Sequence, residues 1–142
     1  MIEIKEPSTK QEWDMYYKIR WEILRKPLGL KQGSERDELD QVANHRIVEK
    51  QKNILAVGRL HFNSNNTAQI RYMAVIQNSQ RNGYGKLLVH EFVKIAKQNN
   101  ISKIVLYSRD SVIKFYEKLG FNIIARAHKL KSVQHFLMQK NI

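Results

Sequence analysis

The chain has 142 residues, of which 42% are hydrophobic and 9% aromatic, so it is long enough for one domain (residues 1–142) and too apolar to be disordered. It has no cysteine, which excludes disulfides, cysteine-bound metals and a cysteine nucleophile. The net charge of +12 comes from lysines and arginines scattered without a run longer than two, which indicates a basic surface, either for anionic partners or without a specific partner, and not a nucleic-acid-binding stripe. No apolar run approaches the roughly 20 residues of a membrane span, and we expect a cytoplasmic protein.

The N-terminal part predicts a strand followed by two helices. The first five residues carry alternating apolar side chains, as in an edge strand. Ser8 and Thr9, followed by Glu12, predict a capping box at the start of a helix of about four turns, which Pro27 and Gly29 end. A second, acidic helix is predicted over residues 35–44, with Ser34 as its N-cap.

The predicted acidic helix has two interpretations. Its carboxylates lie within six residues of an otherwise basic chain: Glu35, Asp37, Glu38 and Asp40. They can form a solvated first turn, where acidic side chains complement the helix dipole, or they can border a binding site and hold an amine.

The middle of the chain predicts an antiparallel meander of three strands, at residues 45–49, 54–62 and 67–76. Because side chains alternate across a strand, Arg59 and His61 share one face of the second of these strands. Gln69 and Arg71 share one face of the third. If a helix covers that side, these polar groups are paired or line a pocket, since burial without partners is costly; otherwise they are exposed.

The rest of the chain predicts two helices and three strands. The first helix, over residues 86–99, has an apolar stripe formed by Leu88, Phe92, Ile95 and Ala96. The remaining elements are a buried strand, a helix and two closing strands, at residues 104–106, 112–119, 122–127 and 133–139. Gly120 is predicted to end the second helix.

The loop before the first of these helices has the features of a phosphate-binding turn. Gly83 and Gly85 can adopt positive φ and carry no Cβ, so the amides of residues 81–86 can turn towards an anion. Free amides and the positive dipole end of the following helix favour a phosphate there. There is no Gly-Lys-Ser/Thr, and only two of the three glycines of a dinucleotide fingerprint are present, so both of those classes are excluded.

The loop sequence Gln-Arg-Asn-Gly-Tyr-Gly at residues 80–85 resembles the acyl-CoA signature, Gln/Arg-x-x-Gly-x-Gly/Ala, of the GNAT N-acetyltransferase superfamily. Met-Ala-Val at residues 73–75 and Phe-Tyr-Glu-Lys-Leu-Gly-Phe at residues 115–121 match the spacing of the family. The resemblance implies the GNAT fold, an α/β fold with the order β-α-α-β-β-β-α-β-α-β-β. Its fourth and fifth strands splay apart around acyl-CoA.

The resemblance also implies an activity, namely acetyl transfer from acetyl-CoA to a primary amine by direct sequential attack, without a metal. Backbone groups of the strand end would bind the pantetheine arm and the acetyl carbonyl: Met73, Ala74 and Val75. The loop amides would bind the pyrophosphate: Arg81, Asn82, Gly83, Tyr84, Gly85 and Lys86. Ser111 stands near the position of an asparagine that contacts CoA in many members.

Tyr116 matches the tyrosine that protonates the leaving thiolate in many members of the family. A phenol with a pKa near ~10 can donate to a thiolate whose conjugate acid has a pKa near ~8.5. The alternative for Tyr116 is an aromatic side chain that only packs against its neighbours.

The general base does not follow from the resemblance. Gln69 occupies the position at which histone-type members place a glutamate, and glutamine cannot take a proton. His61, Glu22 and Glu35 are therefore candidate bases, and His135, on the last strand, is a candidate residue of the acceptor site. A structural role is the alternative for both histidines.

The acceptor is also left open. Four arginines suit an acceptor that carries a carboxylate: Arg20, Arg25, Arg59 and Arg71. The acidic segment instead suits a polyamine or a peptide amine. The expected partners are acetyl-CoA, a small-molecule or protein amine and a second copy in a homodimer, with neither a membrane nor nucleic acid.

Residues 20–28 and 33–37 resemble the acetyltransferase domain that some bacterial proteins carry ahead of a thioesterase domain. No thioesterase segment is expected before the sequence ends at Ile142. This resemblance leaves a second function open, that of an acyl-CoA-binding module without efficient catalysis that partners a separate thioesterase.

Overall fold

The computed structural model of the chain describes all residues, 1–142, and places seven strands in one sheet. The strands are β1 (Ile2–Lys5), β2 (Asn44–Lys50), β3 (Asn53–Phe62), β4 (Thr67–Val75), β5 (Lys103–Arg109), β6 (Asn122–Leu130) and β7 (Val133–Asn141). The helices are α1 (Lys10–Leu24), α2 (Tyr84–Gln98) and α3 (Ile113–Lys118). None of these helices has both the length and the apolar content to cross a membrane.

The sheet opens between its fourth and fifth strands. The strand order is β1-β2-β3-β4-β5-β7-β6, and every neighbouring pair is antiparallel except β4 and β5. These two strands are parallel and pair only where residues 67–69 meet residues 103–105. Beyond Gln69 and Val105 they separate, so the predicted splay is confirmed. We call the space between them the strand gap.

Helices cover both faces of the sheet. Successive residues of β3 show the division, because Ala56 belongs to the apolar cluster beneath α2 and Val57 to a smaller cluster beneath α1. The apolar stripe predicted for α2 is buried: Leu88, Phe92, Ile95 and Ala96. The α1 cluster includes Tyr16, which is fully buried.

The predicted ends of two helices are confirmed. Thr9 Oγ1 accepts from the Glu12 amide at 3.0 Å, and the Glu12 carboxylate accepts from the Thr9 amide, which completes the capping box of α1. Gly120 follows α3 with a φ of +95°. The Phe121 amide donates back to the Tyr116 carbonyl at 3.1 Å, as in a Schellman motif.

The predicted acidic helix over residues 35–44 is wrong. Only Glu38–Gln41 form one short 3-10 turn, and Asp37 caps it instead of Ser34. The backbone at Asp37 is extended, with φ −145° and ψ 176°. Its carboxylate is bound by Arg59 of the sheet, and β2 begins soon afterwards, so too few residues remain for an α-helix.

Other boundaries differ from the predicted ones by a few residues. The helix after the glycine loop, α2, begins at Tyr84, two residues earlier than predicted. The buried strand β5 extends to Arg109, and β6 extends to Leu130. The extension of β5 brings Arg109 into contact with the end of α1, where its guanidinium donates to the Leu24 carbonyl.

Candidate active site

The edge of β4 that faces the strand gap offers unpaired backbone groups. The Ile76 amide donates to the Leu55 carbonyl of β3 at 3.0 Å, so the amide and carbonyl of the preceding Val75 face the opposite side, towards the gap. The Val75 carbonyl accepts from Gln80 Nε2 at 3.3 Å. The Val75 amide is left for a ligand.

A bulge re-aims β4 at the point where the gap begins. Between Val57 and Arg59 the register of β3 and β4 shifts, so that Tyr72 and Met73 together oppose Gly58. Tyr72 has a φ of +57°, which is unusual for a bulky residue and is the kind of backbone strain that clusters at active sites and ligand clamps. This bulge was not predicted from the sequence.

Gly58 is the one sequence signal of the bulge. A Cβ at this position would lie 2.6 Å from Met73 Sδ and 2.9 Å from Phe92 Cε2. Only glycine lets the bulged strand and α2 approach the backbone of β3 this closely.

The glycine loop has the geometry of an anion cradle. The amides of residues 81–86 donate to no acceptor in the chain, and the first bond of α2 runs from the Leu87 amide to the Gly83 carbonyl at 3.1 Å. No side chain caps α2. Gly83, at φ +84°, and Arg81, at φ +71°, take the left-handed backbone that turns successive amides to one side.

The loop packs directly against α3. A Cβ at Gly85 would lie 3.1 Å from Phe115 Cζ and 3.8 Å from Val75 Cγ2, so this glycine allows β4, the loop and α3 to meet. The residue after Phe115 is Tyr116, whose ring forms edge contacts with Phe115 and Phe121 at centroid distances of 4.9 and 5.7 Å. Burial raises the pKa of Tyr116, so its phenol is protonated at neutral pH.

A buried ion network lies beneath α1, on the other side of the bulge. Arg59 pairs with Asp37 at 2.6 Å and with Asp40 at 2.9 Å. Arg20 pairs with Asp40 at 2.9 Å, and Arg71 pairs with Asp37 at 3.0 Å. Burial alone would raise the pKa of Asp40, but the hydrogen bonds from Arg20, the Asp37 amide and Arg59, together with the charge of Arg20, outweigh burial and lower the pKa to about 2. Of the polar side chains predicted to share one face, Arg59 and His61 are buried, whereas Arg71 is paired with Asp37 and still exposed.

The ring of Tyr72 is surrounded by guanidinium groups of this network and its neighbours. The distances from guanidinium carbon to ring centroid are 4.0 Å for Arg20, 5.4 Å for Arg25, 4.9 Å for Arg59 and 4.6 Å for Arg71. These contacts stabilise the positive φ of the bulge by fixing its side chain. Arg20 is fully buried.

The two candidate histidines have opposite hydrogen-bonding states. His61 Nδ1 lies 3.2 Å from Arg59 Nη2, and because a guanidinium only donates, Nδ1 accepts and the proton sits on Nε2. His135 Nδ1 lies 3.1 Å from the Val133 carbonyl, so Nδ1 donates and Nε2 keeps a free lone pair. His135 stands opposite Arg109 in the β5–β7 ladder and stacks on His128 at 4.7 Å.

The carboxylate candidates are not brought to the strand gap. Glu35 is buried and accepts from the Gly33 amide at 2.7 Å and from Arg36 Nε at 3.2 Å. Glu22 is exposed on α1, with Lys18 at 3.7 Å. Ser111 is exposed in the 3-10 turn Asp110–Val112 that precedes α3.

Other parts of the surface offer fewer signs of a site. Two depressions flank α1, one lined by Tyr17, Trp21 and Arg36 and the other by Met15 and Ile54. Neither includes a residue of the glycine loop or of β5. No three His, Asp or Glu side chains are grouped so that they can hold a metal ion.

The sequence is similar to one known protein family and to a protein of Bacillus subtilis. A family model described as the acetyltransferase (GNAT) family matches residues 8–121. A protein of Bacillus subtilis (strain 168) with a provisional acetyltransferase name is 23% identical over 142 residues, which cover 98% of this chain and 96% of that protein.

Two crystal structures share the fold. One, from Lactobacillus plantarum and provisionally named an N-acetyltransferase, has a TM-score of 0.86 at 15% identity and covers 99% of this chain and 97% of its own. The other is a GNAT family acetyltransferase from Elizabethkingia anophelis with acetyl-CoA bound. It has a TM-score of 0.78 at 14% identity, covering 99% and 98% of the two chains.

Proposed function

Because the chain belongs to the GNAT acetyltransferase family, and is thus an acyltransferase, we propose that it transfers an acetyl group from acetyl-CoA to the primary amine of an acceptor. The transfer is a direct attack without a covalent enzyme intermediate. The observation that carries this proposal is the row of free amides at residues 81–86, placed beside the strand gap and opening α2.

The residues present fit acetyl-CoA. The amides of residues 81–86 and the positive end of α2 would hold the pyrophosphate. The Val75 amide, on the unpaired edge of β4, would bind the pantetheine arm as a neighbouring strand does. When bound, acetyl-CoA supplies a thioester whose acetyl carbon bonds to the amine nitrogen as the carbon–sulfur bond breaks.

Tyr116 is the proposed general acid. Its hydroxyl donates a proton to the departing sulfur and regains one from solvent afterwards. Burial keeps the phenol protonated, and it also makes the phenol a weaker acid, so Tyr116 donates only to a base that is itself desolvated.

His135 is the proposed proton acceptor, in preference to His61. Its free Nε2 can take the proton that the amine loses on attack, whereas the Nδ1 of His61 is engaged with Arg59. Burial lowers the pKa of His135, with His128, Arg109 and Arg25 adding to the effect, so the ring is neutral at pH 7. Glu35 and Glu22 have no part in this mechanism, and Arg20 and Arg71 hold the ion network in place.

The test of this chemistry is the rate of CoA thiol release with a panel of amines. Tyr116→Phe is expected to lower kcat by about 100-fold, the scale of general acid catalysis, and to leave the KM for acetyl-CoA within a factor of about two. Tyr107→Phe is the matched control, because this tyrosine is exposed. An unchanged kcat in Tyr116→Phe would remove the acid role, and acetyl-CoA binding without any amine-dependent release would favour the binding module.

A further inference from the structure

We propose that the amine acceptor carries a carboxylate and that Arg25 and Arg109 bind it at the strand gap. This inference rests on the proposed acetyl transfer and names the chemical class of its acceptor.

Arg25 and Arg109 form a pair of cations without an acid. Arg25 Nη1 and Arg109 Nη2 both donate to the Leu24 carbonyl, at 3.2 and 2.9 Å, so the two guanidinium groups lie side by side on one neutral acceptor. Arg25 is 9% exposed and also donates from Nε to the Ser34 carbonyl at 3.3 Å. Neither arginine forms an ion pair, although the exposed Asp110 is the next residue to Arg109.

Without a bound anion, the two adjacent guanidinium groups lower the stability of the folded chain. Like charges repel at short distance, and a charge removed from water needs a counter-charge. Burial lowers the pKa of both arginines, and Arg71 and Arg109 add to the effect at Arg25. An anionic group between the two guanidiniums would relieve both costs.

The pair bridges the two strands that border the gap. Arg25 contacts the ring of Tyr72, three residues beyond the last paired residue of β4, and Arg109 ends β5, four residues beyond its last paired residue. His135 stands opposite Arg109 in the ladder. An amine whose carboxylate lies on the arginine pair is therefore held beside the proposed proton acceptor.

The two aspartates of the acidic segment are not free to hold a cationic amine. The carboxylates of Asp37 and Asp40 are already bound by Arg20, Arg59 and Arg71. A polyamine would meet an excess of guanidinium groups at the bulge. That positive surrounding also favours the free base of a bound amine over its ammonium form, which is the form that can attack.

The experiment compares amino acids with their decarboxylated amines as acceptors at saturating acetyl-CoA. Phenylalanine is paired with phenethylamine, leucine with isopentylamine, and glutamate with 4-aminobutyrate, which keeps one carboxylate. We expect the amine with a carboxylate on the carbon next to its nitrogen to have a kcat/KM about 10- to 100-fold higher than its partner, the scale of losing charge-assisted hydrogen bonds.

Variants locate the site. Arg25→Gln and Arg109→Gln are expected to raise the KM of the carboxylate acceptor at least about tenfold and to leave the KM of acetyl-CoA unchanged. Arg25→Lys keeps the positive charge but loses the paired N–H donors of the guanidinium group, so it should retain part of the affinity for the carboxylate acceptor. Lys97→Gln removes one exposed positive charge at the far end of α2 and should change neither KM.

The outcomes separate this inference from the acetyl transfer itself. Equal use of both members of each pair would overturn the carboxylate site and leave acetyl transfer standing. If no amine is acetylated, the transfer fails and the site is tested by calorimetric titration of N-acetylphenylalanine into the CoA-loaded protein. Binding that Arg109→Gln abolishes would support the site, and no binding to the unaltered protein would overturn it. If Arg25→Gln does not fold, the KM of the carboxylate acceptor in Arg109→Gln is the test of the site.

Discussion

The ion network beneath α1 predicts a loss of stability that depends on pH. Asp40 lies between Arg20 and Arg59, and its side chain is 9% exposed. Burial opposes ionisation, but the hydrogen bonds from Arg20, the Asp37 amide and Arg59, together with the charge of Arg20, outweigh it, so the pKa is about 2 in the folded chain against 3.8 ordinarily. A carboxyl group with a depressed pKa stabilises the folded state above its ordinary pKa, and this contribution is lost as the pH falls towards the folded value.

The magnitude follows from that difference in pKa. At about 1.4 kcal/mol for each unit, ionised Asp40 contributes roughly 2.5 kcal/mol at pH 7. By the same relation about half of this contribution remains at pH 3. Asp40→Asn is therefore expected to lower the free energy of unfolding by about 2.5 kcal/mol or more at pH 7, because the buried Arg20 also loses its counter-charge.

The assay is urea denaturation of the wild type and Asp40→Asn at a series of pH values from 7 to 3. The matched control is Asp14→Asn, because the Asp14 side chain is 64% exposed and pairs only with Lys10, one turn away on α1. Such surface pairs contribute about 0.5 kcal/mol or less. A stability difference for Asp40→Asn that did not shrink between pH 5 and pH 3 would refute this reasoning.

Three further changes test the parts of the site. Gly83→Ala places alanine at φ +84° and is expected to weaken acetyl-CoA binding, measured by calorimetry, at least tenfold. Gly29→Ala, at φ +74° but outside the loop, should leave the affinity unchanged. Equal affinities of the two variants would contradict the proposal that the loop binds the pyrophosphate. Gly58→Ala puts a Cβ 2.6 Å from Met73 Sδ, so the free energy of unfolding measured by urea denaturation should fall by about 1–3 kcal/mol. An unchanged denaturation midpoint would mean that the bulge is not closely packed. His135→Gln should lower kcat/KM at least tenfold. The wild-type activity is expected to decline below pH 6.5, because His135, whose pKa is lowered, becomes protonated there, and the variant should lack this decline. A decline that persists in the variant would belong to another group.

The local parts of the fold and of the site could be predicted from the sequence. A capping box, a glycine end of a helix and a glycine loop with free amides depend on residues a few positions apart, so Thr9, Gly120 and Gly83 could be interpreted in place. The alternation of polar residues on the meander also placed Arg59 and His61 on one face.

The parts that failed or were missed depend on contacts distant in the sequence. The acidic segment has the composition of a helix start, but Arg59, 22 residues later, binds Asp37 and fixes an extended backbone. The bulge at Tyr72 has only Gly58, on another strand, as its sequence signal. Arg109 reaches Leu24 across 85 residues, and no local pattern indicates that two arginines share one carbonyl.

The most direct test of the central claim is a thermal-shift titration with acetyl-CoA, followed by measurement of thiol release with and without amines. Acetyl-CoA is expected to raise the unfolding temperature in a concentration-dependent manner, and addition of an amine is then expected to release free CoA together with the acetylated amine. Absence of stabilisation by acetyl-CoA at concentrations up to the millimolar range would contradict the assignment of the glycine loop and the strand gap as the acyl-CoA site.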